Sequence, residues 1–412
     1  MVAVERCSSF RRVMRPTVFA RTACRMTLNR THAPPLHSRE HTDRAWEFFT
    51  RMGSPKLWVA PMVDASELPF RMLCRRYGAT GAYTPMQHAR LFYETEKYRV
   101  ENFTTCPEDR PLLVQFCAND PEILLGAAKI VEPYCDGIDL NLGCPQRIAK
   151  RGRYGAYLMD DLPLIENLVK TLVAGVSIPV TCKIRMFEEL EPTLEYARML
   201  ERAQCSMLGV HARTRDKKDS VTSRADWDVI KAVKEALSIP VLANGNIRDL
   251  KDVHACMEYT GADGVMSAVS LLEDPALFSQ GRLEEGGEKT YMDECRLFRE
   301  YLELVTAYPV NLGFVKGHAF RLLGNWLAEF TDIRMELNRD RKLTLEKFYT
   351  WLEEIERRIE ASGRDYPQPA ARNQADVARE RQERKLAAIE AQKKEEDAVA
   401  ELSEIGLSEM SL

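Results

Sequence analysis

Leu57-Trp58-Val59-Ala60-Pro61-Met62-Val63-Asp64 is the stretch on which the fold turns. Its apolar run reads as a first strand over Leu57 to Met62. A doubly wound dinucleotide-binding sheet would follow that strand with a GxGxxG turn, and Ala60-Pro61-Met62-Val63-Asp64 holds no glycine. Further strands are predicted at Thr80 to Thr84, Leu112 to Cys117, Gly137 to Leu142, Pro179 to Arg185, Met207 to His211, Pro240 to Ala243 and Gly264 to Ser267. Helical spacing fills the intervals, as in Ile165, Leu168 and Leu172, or Trp227, Ile230, Val233 and Leu237. Eight βα units ending near Arg282 predict an α/β fold, the (β/α)8 TIM barrel, typically about 250 residues long. Beyond Gly286-Gly287 only helical periodicity remains. Cys295, Phe298, Leu302 and Val305 share one face, and Phe348, Leu352, Ile355 and Ile359 share another, so a small all-α helical domain follows the barrel.

The flanks bound the rest of the reading. The chain has 412 residues, 45% of them hydrophobic, which is enough for a large domain and a smaller one. Residues 1–39 carry eight arginines against the single acid Glu5, the composition of a basic arm or a mitochondrial transit peptide. The expected organisation is a basic arm over 1–54, disordered or targeting, then the barrel over 55–285, the helical domain over 286–362 and a charged tail over 363–412. Eleven cysteines form no CxxC pair and no zinc spacing, which argues for a reducing compartment and no metal. The most apolar run, Leu112 to Val131, is broken by Asn119-Asp120-Pro121, so no membrane span is expected. A net charge of −4 offers no global attraction to polyanions; a nucleic-acid partner needs a local basic face.

Barrel chemistry belongs at the carboxyl ends of strands. Four successive ends are polar or reactive: Asn141-Leu142-Gly143-Cys144-Pro145, Lys183 with Arg185, His211-Ala212-Arg213-Thr214-Arg215 and Asn244-Gly245-Asn246. Cys144 opens a loop that holds Arg147, Lys150, Arg151 and Arg153 and no acid through Met159, a setting for a reactive thiol beside a polyanion. Gly245-Asn246 and Ser267-Ala268 place main-chain N–H groups where barrels bind phosphate, although Asn244-Gly245-Asn246 is also a common turn signal. Lys183 suits the N1 side of a reduced flavin, or else it snorkels out of the barrel. Gln115 can meet the ring's polar edge, and His211 is either a ligand contact or a core histidine.

Taken in order with Pro69-Phe70-Arg71, Val114-Gln115-Phe116, Lys183-Ile184-Arg185 and Asn244-Gly245-Asn246-Ile247, these motifs resemble the tRNA-dihydrouridine synthases across the whole barrel. Cys144-Pro145-Gln146, Ile148-Ala149-Lys150, Tyr154-Gly155-Ala156 and Gly264-Val265-Met266-Ser267-Ala268 are similar to the eukaryotic subfamily acting on tRNA positions 16 and 17. The resemblance implies an FMN enzyme that uses NADPH or NADH to reduce the C5–C6 bond of uridine in the tRNA D loop, cytoplasmic or nuclear, with a mitochondrial site suggested by the arm; the alternatives are another FMN barrel oxidoreductase acting on a free pyrimidine and a non-catalytic RNA-binding protein. A monomer is expected.

Carried over by position, flavin contacts fall on Pro61, Met62, Val63, Gln115, Asn141, Lys183, His211, Asn244, Gly245, Asn246, Ser267, Ala268 and Val269. Cys144 becomes the general acid, and Arg147, Lys150, Arg151, Arg213 and Arg215 face tRNA, helped by the helical domain. Arg147 stands where the family has a small residue, and Ala268-Val269-Ser270 where the subfamily has Ala-Glu-Gly. One tension follows, because cations that lower a thiol's pKa would empty it of the proton it must deliver. Bound phosphates are expected to neutralise Arg147, Lys150 and Arg151. Lys316, His318, Phe320, Arg321 and Trp326 read either as an RNA face or as a helix packed on the barrel.

Overall fold

The computed structural model describes residues 39–217, 225–280 and 291–364; the arm over 1–38, Gly286-Gly287 and the tail from 365 lie outside them. The strands are β1 Leu57–Val59, β2 Gly81–Tyr83, β3 Gln87–His88, β4 Leu112–Cys117, β5 Gly137–Leu142, β6 Val180–Met186, β7 Leu208–Thr214, β8 Val241–Asn244 and β9 Gly264–Ser267. All pairings are parallel, in the order β2-β1-β9-β8-β7-β6-β5-β4, and β2 pairs with β4 to close an eight-stranded barrel. β3 is a two-residue extension along β4 beyond β2. Two predicted ends move by more than one residue. β1 stops at Val59, before Pro61, which has no N–H for the ladder, while β7 runs on through Arg213 and Thr214.

The helices before the last strand are α1 Arg39–Arg51, α2 Leu68–Arg76, α3 Ala89–Glu94, α4 Glu96–Asn102, α5 Pro121–Val131, α6 Arg147–Arg151, α7 Leu162–Gly175, α8 Leu190–Arg202, α9 Trp227–Ala236 and α10 Leu250–Thr260. α11 Val269–Glu273 follows β9. Their starts follow from the sequence. Asp120, Asp161, Asp226 and Asp249 each accept main-chain N–H bonds as N-caps, and Pro121 and Pro163 take first-turn positions where no N–H is needed. One apolar face of each crossover packs on the barrel; Ile165, Leu168, Val169 and Leu172 of α7 are all buried.

Residues 39–54, expected within the basic arm, are instead part of the barrel. Phe48 and Phe49 of α1 join Trp58, Tyr83, Leu113, Met207, Leu242 and Met266, the apolar layer that fills the barrel's lower interior. Gly137 shows how closely α1 enters: a Cβ there would lie 2.9 Å from Leu113 and 3.3 Å from the Phe48 ring. Trp46 adds an indole N–H bond of 2.8 Å to the Ser238 carbonyl.

Beyond the barrel, α12 Tyr291–Ala307, α13 Leu312–Leu322, α14 Gly324–Glu329, α15 Thr331–Arg339 and α16 Leu345–Ser362 form the helical domain. The predicted faces are inward: Phe298 and Leu302 of α12 and Phe348, Leu352 and Ile355 of α16 are buried. A buried polar junction ties this domain to the barrel. Glu67, just before α2, accepts Tyr301 Oη at 2.7 Å and lies 3.0 Å from His318 Nε2, while the His318 ring stacks on Phe70 at 4.6 Å. His318 and Trp326 are therefore packing residues, 2% and 0% exposed, which decides the two readings of that segment for these positions. Arg71 of the Pro-Phe-Arg motif is structural as well. It bonds Asp109 through Nε (3.0 Å) and Nη2 (2.6 Å) and the Ser66 carbonyl at 2.7 Å, while Arg75 takes the second Asp109 oxygen.

Candidate active site

Strand register builds the barrel mouth. Gln115 lies beside Asp139, Asp139 beside Thr181, and Asn141 beside Lys183, so alternate inward residues of β4, β5 and β6 form one polar layer above the apolar one. Apart from Lys183, its members are joined by hydrogen bonds. Thr181 donates to Asp139 Oδ1 (2.6 Å), Gln115 Nε2 to Asp139 Oδ2 (2.8 Å), and Asn141 Nδ2 to Gln115 Oε1 (2.7 Å). Asn141 Oδ1 then accepts the N–H groups of Gly143 (3.1 Å) and Cys144 (2.9 Å). A chain of contacts thus runs from the barrel interior to the loop that carries the thiol. Gln115 is wholly buried and bonded at both ends of its amide, so it orients Asn141.

Lys183 stands in this layer with no hydrogen bond or ion pair among the described residues. Burial and the nearby Arg185 pull it down to about 8, against the pull of Asp139. Burial likewise pushes Asp139 up to about 6, opposed by Thr181, Gln115 and Lys183. Gly209 on β7 leaves room for the lysine stem, since a Cβ there would meet Lys183 Cγ at 3.4 Å. His211 is held well below its ordinary value by burial and by Lys183, Arg185 and Arg213. It is neutral, and its Nε2 accepts from Arg213 Nη1 at 2.7 Å.

Cys144 departs from the sequence expectation in an instructive way. Burial raises the thiol above its ordinary 9.0, and the Gln146 N–H, Arg185 and Lys183 only partly oppose this. The exposed cations of α6, Arg147, Lys150 and Arg151, are not what sets it, so the thiol stays protonated without phosphates to neutralise them. Arg185 acquires its role only in the folded protein. Its guanidinium binds the carbonyls of Gly143 (2.9 Å), Thr214 (2.8 Å) and Lys217 (3.0 Å), fastening the β5 loop to the β7 loop. Its signal was present as an arginine two residues beyond Lys183 on an inward strand.

The other side of the mouth is main chain. Gly245 has φ +119, and a Cβ there would come within 2.5 Å of Ala225 and 3.3 Å of His211. Asn246 has φ +61; its side-chain oxygen accepts from Arg213 Nη2 (3.1 Å) and from the Ala225 N–H. Asn244 donates to the Met266 carbonyl, and the Ser267 hydroxyl to that of Ile247, so both side chains shape the loops. Val269 opens α11 and is 45% exposed. Pro61, Met62 and Val63 cross the mouth after β1, with Val63 exposed and the Met62 N–H held by Ser66.

Of the five predicted RNA-facing cations, Arg147, Lys150 and Arg151 line the outer rim on α6. Arg213 is buried against His211 and Asn246, inside the mouth. Arg215 pairs with Asp160 at 2.7 Å over the Tyr157 ring. Among the described residues no group of three or more His, Cys, Asp or Glu is arranged to hold a metal ion, and no helix is long and apolar enough to cross a membrane.

A closed parallel barrel whose C-terminal mouth combines a desolvated lysine, a neutral histidine and a protonated thiol defines a (β/α)8-barrel enzyme. Its sequence relatives narrow that class. The family model described as dihydrouridine synthase (Dus) matches residues 58–325, and the chain belongs to this family. It is 48% identical over 303 residues to a rat (Rattus norvegicus) "tRNA-dihydrouridine(16/17) synthase [NAD(P)(+)]-like" protein, covering 73% of this chain and 67% of the relative. It is 45% identical over 323 residues to the Saccharomyces cerevisiae "tRNA-dihydrouridine(16/17) synthase [NAD(P)(+)]", covering 76% and 75%. A human "tRNA-dihydrouridine(20a/20b) synthase [NAD(P)+]-like" protein is 44% identical over 223 residues, covering 53% and 69%.

Proposed function

We propose that this chain reduces the C5–C6 double bond of uridines 16 and 17 in the tRNA D loop, using FMN and NADPH or NADH, as a monomer in the cytoplasm or nucleus. The observation that carries the reading is Lys183, a buried cation with no hydrogen-bond or ion-pair partner among the described residues, facing the same mouth as a thiol kept protonated by burial. Such a cation suits the electron-rich N1–O2 side of a reduced flavin ring. The donor set fits the remainder of FMN. Arg213 and the main-chain N–H groups of Gly245, Asn246, Ala268 and Val269 suit its phosphate.

When bound, FMN supplies the hydride that adds to C6 of uracil. The chain's own work is positional and protonic. Asn141 holds the loop through the Gly143 and Cys144 N–H groups, and Arg185 holds the Gly143 carbonyl, so the Cys144 backbone is fixed relative to the mouth. Hydride at C6 leaves an electron pair delocalised over C5 and O4, and the Cys144 proton completes the reduction at C5. His211, neutral and accepting from Arg213, adds no positive charge beside Lys183. Arg147, Lys150 and Arg151 on the rim attract tRNA phosphates, and the helical domain extends that surface.

The test is a pair of half-reactions. The purified protein should be yellow, should bleach with NADPH under anaerobic conditions, and should recolour on adding tRNA that lacks dihydrouridine. A colourless protein, or recolouring by free uridine but not by tRNA, overturns the reading.

A further inference from the structure

Between the barrel mouth and the helical domain lies a cleft of about 380 Å³. Val63, Asp64, Gln87 and Tyr98 form its barrel wall, and Phe314 of α13 closes the far side. It adjoins the reactive thiol, because Met86, which also lines it, packs in one small cluster with Cys144, Cys117 and Tyr154. Three carboxylates, Asp64, Glu67 and Glu101, border the cleft, and no lysine or arginine does. A phosphate belongs on the cationic rim and is repelled here.

Gln87 identifies what the cleft accepts. It is 1% exposed, and its Nε2 donates to the carbonyls of Asn102 (2.9 Å) and Pro85 (3.3 Å), which fixes the amide orientation. Oε1 is left buried with no partner, and buried acceptors are nearly always bonded. Asp64 holds a left-handed backbone, φ +58, directly after Val63 at the mouth. Val63 and Val100 add exposed apolar surface beside these acceptors. The occupant is therefore partly apolar, carries no anionic group into the cleft, and is edged with N–H donors.

Among nucleobases, guanine meets this description: its N1–H and N2–H groups lie side by side, and one carboxylate accepts both. Adenine and cytosine each place an amino group beside an acceptor, and uracil sets one N–H between two carbonyls. We propose that this cleft holds a second, unpaired guanine of the RNA while the target uridine occupies the barrel mouth. The proposal rests on the RNA-reducing function above.

The test uses FMN-loaded enzyme and tRNA transcripts in which each unpaired guanosine near the target uridine is replaced, one at a time, by inosine, which lacks the N2 amino group. Wild-type protein is compared with Asp64→Asn, a residue that keeps the left-handed backbone and the side-chain size. One inosine position should raise KM about tenfold with kcat unchanged, the loss of a hydrogen bond to a charged group that is equal in ground and transition states. In Asp64→Asn the same replacement should raise KM by under about threefold. If no position moves KM, or one moves it equally in both proteins, the cleft assignment is overturned. Should wild-type enzyme fail to reduce the unsubstituted transcript, the RNA-reducing function falls as well; turnover without an inosine effect removes the guanine site alone.

Discussion

Replacing Lys183 by Met should make the flavin-free protein more stable at neutral pH and the flavin-bound protein less so. The lysine sits in the polar layer of the barrel, and burial has drawn its pKa from 10.5 to about 8. At roughly 1.4 kcal/mol per pKa unit, holding it charged at pH 7 costs the flavin-free fold about 3 kcal/mol. Because the folded-state value is the lower one, the penalty is fully present below about pH 8 and disappears as pH climbs to 10.5, so wild-type stability rises across that window. Met has similar length and no charge. Urea unfolding of flavin-free protein should show Lys183→Met ahead by up to about 3 kcal/mol at pH 7, with the two converging near pH 10. Flavin retention, read as the FMN-to-protein ratio after gel filtration, should fall in the variant, since the cation that meets the reduced ring is gone. A variant that is less stable than wild type at pH 7 and keeps its full complement of FMN would refute the reasoning.

Cys144→Ala should leave flavin reduction by NADPH intact and slow uridine reduction by about 10²- to 10⁴-fold, the contribution of a general acid. In the wild type, stopped-flow recolouring by tRNA should show no thiol ionisation below pH 9, because burial raises that group; a loss centred near pH 7 would contradict the assignment. Gly245→Val should lose FMN during gel filtration, because its φ of +119 and the 2.5 Å approach to Ala225 leave no place for a side chain, whereas Val269→Glu, at an exposed position, should keep it. Asp109→Ala should destabilise the protein by about 3–5 kcal/mol in urea titrations, as it strands the buried Arg71 cation. A cost under about 1 kcal/mol would mean that the Ser66 and Thr104 carbonyls suffice for Arg71.

The barrel was legible because parallel strands buried on both faces read as apolar runs, and β4, β5 and β9 fall where those runs begin and end. Residues at strand ends were legible for the same reason: position relative to a strand tells which way a side chain points. What the residue types could not disclose is partnership. Gln115 stands alone in one dimension and bonds Asp139 and Asn141 in three. Arg213 reads as one more cation of a basic loop, yet two further residues of strand turn it inward to His211. Cys144 was judged by its sequence neighbours, whereas burial and the through-space neighbours Arg185 and Lys183 set its proton affinity. The arginine-rich start of the chain conceals α1 with its Phe48 and Phe49, because composition averages over the boundary at Arg39.

That helix works as a stopper driven into the base of the barrel. Phe48 and Phe49 fill the end opposite the chemistry, so water entering from below would reach Leu113 and Met207 and then the layer that desolvates Lys183 and Asp139. A trimmed gene that starts at Pro55, where the first strand is about to begin, would keep every side chain of the mouth and discard the stopper. Residues 39–54 thus belong to the barrel's insulation, and a cut from the N-terminal side preserves it only if it falls before Arg39.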